Sequence, residues 1–112
     1  MDHTERLTLL AVSDAVHSEH CLSGHDQSGP LDPKTRALVQ LAAVMAVGGP
    51  VPSYGAVADT GIGAGAYPDE MVDVLETIVP LIGLPRAVVA AHHLGLALGY
   101  DAEGALDHGV ET

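Results

Sequence analysis

Two adjacent histidines, His92 and His93, stand in an otherwise apolar run near the end of the chain. Imidazole titrates near neutrality and is the commonest general acid or base, so either residue is a candidate for proton transfer. Neighbouring helical residues point about 100° apart, so at most one of the two looks into a given pocket, and the sequence leaves open which. Val88 and Leu96 flank His92 at four residues on either side and give it a partly apolar face. The competing reading is a hydrogen-bonded core or interface histidine. Tyr54, Asp59 and Glu76 are the natural companions. A phenol in a pocket can donate to a developing oxyanion, and a carboxylate at Glu76 could reach a pocket between subunits. Their plainer readings are a structural tyrosine with a wet tip and two solvated helix-face acids.

A second cluster lies near the start of the chain: His17, Glu19, His20, Cys21 and His25. His17, His20 and Cys21 have i, i+3 and i+4 spacing, which on a continuous helix puts three good zinc ligands on one face. His25 could complete a four-ligand site. Against this, Gly24 ends the helix before His25, and the spacing matches no established zinc motif. The alternative is a polar helix end whose histidines suit the C-terminal dipole, with Cys21 buried; on that reading the protein uses no metal and no cofactor.

Proline and glycine punctuation divides the chain into about five helical segments. The first runs from about Thr4 to Leu22, and a polar linker follows to Leu31. Asp32-Pro33 starts a second, because Asp accepts from free amides while Pro fits the first helical position; Gly48-Gly49-Pro50 stops it. Ser53 is placed to cap a third, from Tyr54 to about Ala64, weakened by Gly55, Gly61 and Gly63. Pro68-Asp69-Glu70 opens a fourth with acids in its first turn, ended by Pro80 and Gly83. Pro85 opens a fifth, which carries the two histidines to Leu98 and stops at Gly99. No segment alternates like a strand, so the fold class is all-α, a small helical bundle. It forms one domain: an N-terminal helix and linker over 1–30, a helical core over 31–100, and an acidic tail over 101–112.

Composition narrows the function. The chain has 112 residues, 47% of them apolar, 15 Asp and Glu against 4 Lys and Arg, and a formal charge of −11. That charge repels phosphate backbones, and no basic patch or aromatic platform offsets it, so nucleic-acid binding is excluded. No apolar run approaches the roughly 20 residues of a membrane span, and the charged Asp2-His3-Thr4-Glu5-Arg6 start is unlike a signal peptide; a cytoplasmic protein is expected. The single cysteine forbids an internal disulfide. With no Phe or Trp, the interior must come from Ala, Val, Leu and Ile. Such small side chains leave a lone monomer little margin, so burial is expected to continue across subunits.

Leu31-Asp32-Pro33-Lys34-Thr35-Arg36, an apolar helix, a glycine break and a small-residue helix are followed by Ala64-Gly65-Ala66-Tyr67-Pro68-Asp69-Glu70, Leu75 and Gly83-Leu84-Pro85. In order and spacing this resembles the carboxymuconolactone decarboxylase and alkylhydroperoxidase D superfamily, from Leu31 to roughly Tyr100. The resemblance implies a homo-oligomer, a trimer or hexamer, with pockets at or near subunit contacts. It also implies a Cys-x-x-Cys pair, a His and a preceding Glu in the peroxidase branch. Here those positions are Pro50, Ser53, Val57 and Ala37, and thiol peroxidase chemistry is excluded because a hydroxyl cannot form the disulfide that the cycle needs. The decarboxylase branch also has a His at the position of Val57. What remains is a cofactor-free lyase, isomerase or cyclase moving a proton on a small organic acid, lactone or enolisable intermediate, or a non-catalytic oligomeric scaffold that kept the fold.

Overall fold

The computed structural model of the chain describes residues 1–24 and 29–99. By internal contacts it divides into two compact units, Met1–Pro30 and Leu31–Thr112. Among the described residues every regular element is a helix.

The first unit holds two helices rather than the expected one, α1 (His3–Ala11) and α2 (Ala15–Ser23). Asp2 caps α1 by accepting from the Glu5 amide at 2.8 Å, and Asp14 caps α2 by accepting from the His17 amide at 3.0 Å. A second good cap inside one apolar pattern favours breaking the helix there. Ser13 takes the left-handed turn between them at φ 56°. Neither helix contains a buried residue.

The second unit holds α3 (Pro33–Val47), α4 (Val51–Gly63), α5 (Pro68–Ile82) and α6 (Leu84–Ala97). With α1 and α2 the described residues form six helices, one more than expected. Asp32 caps α3 through the Thr35 amide at 2.7 Å, with Pro33 in the first turn, and Gly48 ends the helix at φ 75°. Helix α4 starts three residues earlier than expected: Pro50, not Ser53, is its N-cap. Pro52 sits in the first turn, where it has no hydrogen bond to lose.

Pro80 does not stop α5, which runs on to Ile82 before Gly83 turns away at φ 84°. Only the last turn follows Pro80, so the lost hydrogen bond costs one link at a helix end that frays anyway. Glu70 closes the other end of α5 by accepting from the Tyr67 amide at 2.9 Å, and its second oxygen pairs with Lys34 Nζ at 2.6 Å. The pair ties the first turn of α5 to the first turn of α3.

Helix α3 packs on α4 and α5, α6 packs on the same two, and α3 and α6 touch across the bundle. The core is built from Leu41, Met45, Tyr54, Ala58, Met71, Leu75, Ala87, Ala90 and Leu94. Its largest fully buried side chains are Tyr54, Leu41, Met45 and Met71. The expected Ala, Val, Leu and Ile interior is therefore corrected: one tyrosine and two methionines join its leucines and alanines, while Val44, Val57, Val72, Val74, Ile78 and Ile82 are partly buried around it. Gly61 permits this packing, because a Cβ there would come within 2.9 Å of Met71 Cε.

Candidate functional site

Tyr54 lies in the first turn of α4, and His93 lies one turn before the end of α6. Packing of α4 on α6 brings their rings together edge to face, with centroids 5.2 Å apart and planes at 83°. Such T-shaped pairs are favourable beyond the area they bury. Of the two histidines, His93 is thus the one set against the buried tyrosine. His92 is half-buried and points about 100° away around the helix.

The pair carries an electrostatic irregularity. His93 Nδ1 is covered by protein and has no hydrogen-bond partner. A buried polar atom left in that condition costs about 1–3 kcal/mol, and such groups in native structures call for an explanation such as a catalytic role or an absent ligand. Tyr54 is 1% exposed. Burial pushes its phenol above the ordinary value near 10, and the positive charge of Arg86 opposes the shift more weakly. At neutral pH Tyr54 is therefore a protonated donor.

Arg86 is the residue that the sequence analysis missed. It occupies the first turn of α6, and its guanidinium lies over Gly48 at the C-terminal end of α3, in the space a Cβ on that glycine would fill. A signal was present in the sequence. A cation in the first turn opposes the helix dipole, and local rules are most often broken where function requires it. Arg86 also precedes His93 by seven residues, two full turns, so both leave α6 on one face.

The remaining candidates do not join this group. Asp59 is exposed on α4, five residues and about 140° beyond Tyr54, and Glu76 is exposed on α5. Ala37 is buried in α3, Pro50 caps α4, and Ser53 and Val57 are half-buried on the first two turns of α4, beside Tyr54. In the first unit, α2 carries His17, His20 and Cys21. Cys21 Sγ lies 3.9 Å from His17 Nε2. Cys21 is exposed, which corrects the expectation that it is buried; α2 has no buried face to place it on. Among the described residues no group of three His, Cys, Asp or Glu side chains is placed to hold a metal. His25 lies outside the described residues, as do Tyr100 and the acidic tail over 101–112.

An open depression of about 600 Å³ is lined by Asp32, Pro33, Lys34, Thr60, Gly63 and Ala64, where α3 begins and α4 ends. Its two charged groups are already engaged. Asp32 caps α3 and Lys34 pairs with Glu70. The Tyr54–His93 pair lies near the opposite ends of those helices, where α3 stops and α4 starts.

No helix among the described residues is long and apolar enough to cross a membrane. The family described as "Carboxymuconolactone decarboxylase family" matches residues 19–95, well over half of the chain. No curated protein and no solved structure matches the chain.

Proposed function

The chain belongs to the carboxymuconolactone decarboxylase family, and from that membership and the Tyr54–His93 pair we propose a cofactor-independent enzyme that moves a proton on a small organic acid, lactone or enolisable carbonyl compound. The observation that carries this reading is the buried, unpartnered Nδ1 of a histidine packed edge to face with a buried tyrosine. His93 is the acid and base, and Tyr54 the donor to the oxygen on which charge develops. In the isomerising direction, the His93 imidazole takes a proton from the carbon next to the carbonyl. The C–H electron pair moves into the enolate, whose oxygen accepts from the Tyr54 hydroxyl, and the imidazolium returns the proton to a different carbon. In a decarboxylation of a 3-oxo acid or its vinylogue an enolate forms as carbon dioxide leaves, and a proton taken from solvent is delivered to its carbon through His93.

The resemblance expects an imidazole at position 57, one turn of α4 beyond Tyr54. Val57 stands there, and in this reading the His93 imidazole, packed against Tyr54, serves in its stead. The test is solvent deuterium incorporation into a panel of 2-oxo acids and unsaturated lactones, followed by proton NMR. Incorporation that disappears in His93→Phe is the expected result; incorporation unchanged in that variant overturns the mechanism.

A second reading, the non-catalytic oligomeric scaffold, draws on the exposed apolar side chains of α5 and α6. Leu81 is 85% exposed and Leu84 68%, and Val88, Val89 and Leu96 are also exposed. Apolar surface of this kind supports a homo-oligomer under either reading; the trimeric or hexameric form is what the family resemblance implies, and the cytoplasm is the location expected from the sequence. Sedimentation of a protein that assembles but exchanges no deuterium with any compound in the panel would favour the scaffold.

A further inference from the structure

Three cations lie in the described part of the second unit: Lys34, Arg36 and Arg86. Lys34 pairs with Glu70, and Arg36 donates to the Leu31 carbonyl at 2.7 Å. Arg86 has neither a carboxylate partner nor a hydrogen bond among the described residues, although the chain has 15 acids. Its charge is felt instead by Tyr54. Tyr54 in turn touches His93. The three residues thus gather at one end of the bundle, Arg86 over the turn that ends α3 and the Tyr54–His93 pair where the start of α4 packs on α6: an uncommitted guanidinium, a protonated phenol and an imidazole with an unpartnered nitrogen.

We propose that Arg86, Tyr54 and His93 form a binding site for a small organic monoanion, with Arg86 as the residue that selects for its charge. A chain of charge −11 repels anions at long range, so a site for one needs a local cation that no acid neutralises. Arg86 is that cation. A guanidinium binds a carboxylate or enolate oxygen through paired, charge-assisted hydrogen bonds. Seven residues of α6 separate Arg86 from His93 and span about 10.5 Å. A small organic acid of about that length bridges the exposed Arg86 guanidinium and the accessible part of the half-buried His93 ring. The anionic end sits on Arg86 and the opposite end against His93, over the buried Tyr54 ring. The proposal rests on the preceding reading only for where the reacting atom lies; anion binding is read out separately from turnover.

The experiment titrates the full chain with benzoate and with its neutral isostere benzamide, by calorimetry and by the imidazole proton signals of His93. Wild type is expected to bind benzoate in preference to benzamide, with the His93 signals shifting. Arg86→Met should weaken benzoate binding by roughly ten- to a hundredfold and leave benzamide unchanged, while Arg86→Lys retains part of the preference. Equal binding of the two ligands by wild type, or unchanged benzoate binding in Arg86→Met, overturns the proposal. If Arg86→Met fails to fold, Arg86→Lys and the salt dependence of wild-type binding decide. A reduced benzoate preference in Arg86→Lys and weaker binding at high salt support the site, whereas affinity insensitive to both overturns it. Anion binding that needs Arg86 without any deuterium exchange leaves this site standing and removes the catalytic reading. Exchange that survives Arg86→Met, with benzoate binding unchanged, does the reverse.

Discussion

The guanidinium of Arg86 occupies the space that a Cβ on Gly48 would need, so the turn that ends α3 and the first turn of α6 are built around each other. Gly48 is required twice over, since its φ of 75° also favours glycine. Gly48→Ala should therefore lose about 1–2 kcal/mol from left-handed strain and push Arg86 aside. Denaturant unfolding measures the first effect. A fall in the benzoate preference, with Tyr54 and His93 intact, measures the second.

A Cβ added at Gly55 or Gly63 of α4 would meet nothing within 4 Å, whereas one at Gly61 would lie 2.9 Å from Met71 Cε and 3.7 Å from the Ala37 and Ala66 methyls. Gly55→Ala and Gly63→Ala should each stabilise the isolated chain by about 0.5–1 kcal/mol through helix propensity. Gly61→Val should destabilise it by about 1–3 kcal/mol through overpacking. Thermal unfolding of the three variants checks the contrast. If either open glycine instead lies at a subunit contact, its alanine variant lowers the sedimentation coefficient.

Much of the fold was legible in the sequence because its signals are local. Asp32-Pro33, Gly48, Pro68-Asp69-Glu70 and Gly99 mark ends that their own side chains or φ values enforce. The misreadings arose where two local signals competed or where a partner far along the chain decided. Asp14 outcompeted helix continuity, and Pro80 came too late in α5 to break it. For Tyr54 the sequence left a pocket donor and a structural tyrosine open, and a core without Phe or Trp buries it as its largest side chain. His92 and His93 could not be told apart until the packing of α4 on α6 placed one ring against Tyr54. Arg86 was passed over because its significance lies in Gly48 and Tyr54, distant in sequence.

Acid should loosen the start of α5. The Glu70 carboxyl lies below its ordinary 4.5, first because it accepts from Lys34 and then because it accepts from the Tyr67 amide. A carboxyl depressed in the folded state contributes stability that is complete above its unfolded value and is lost as pH falls through the folded one. Lys34, raised above 10.5 by the same pair, loses its contribution as pH rises through its folded value. Glu70→Gln should therefore melt below wild type at pH 7, and the gap should close as pH falls below 4.5 and through the lower folded value. Melting curves from about pH 3 to 7 report it; a gap independent of pH contradicts the assignment.

The core methionine Met45 is fully buried in α3. Met45→Ala should cost about 2–5 kcal/mol, which is read from the denaturant midpoint. Tyr54→Phe should change stability little, because the hydroxyl makes no hydrogen bond among the described residues, but should reduce deuterium exchange by about 10²-fold or more if Tyr54 supplies the oxyanion donor.

The central claim is that His93 is held against Tyr54 for chemistry and at the expense of stability. Melting temperature and deuterium exchange measured together on His93→Phe test it most directly. Phenylalanine keeps an aromatic ring beside Tyr54 and removes the unpartnered Nδ1. His93→Phe is expected to be at least as stable as wild type, gaining up to about 1–3 kcal/mol, with exchange abolished. A variant that melts well below wild type yet exchanges normally would show His93 to be a structural histidine and contradict the account.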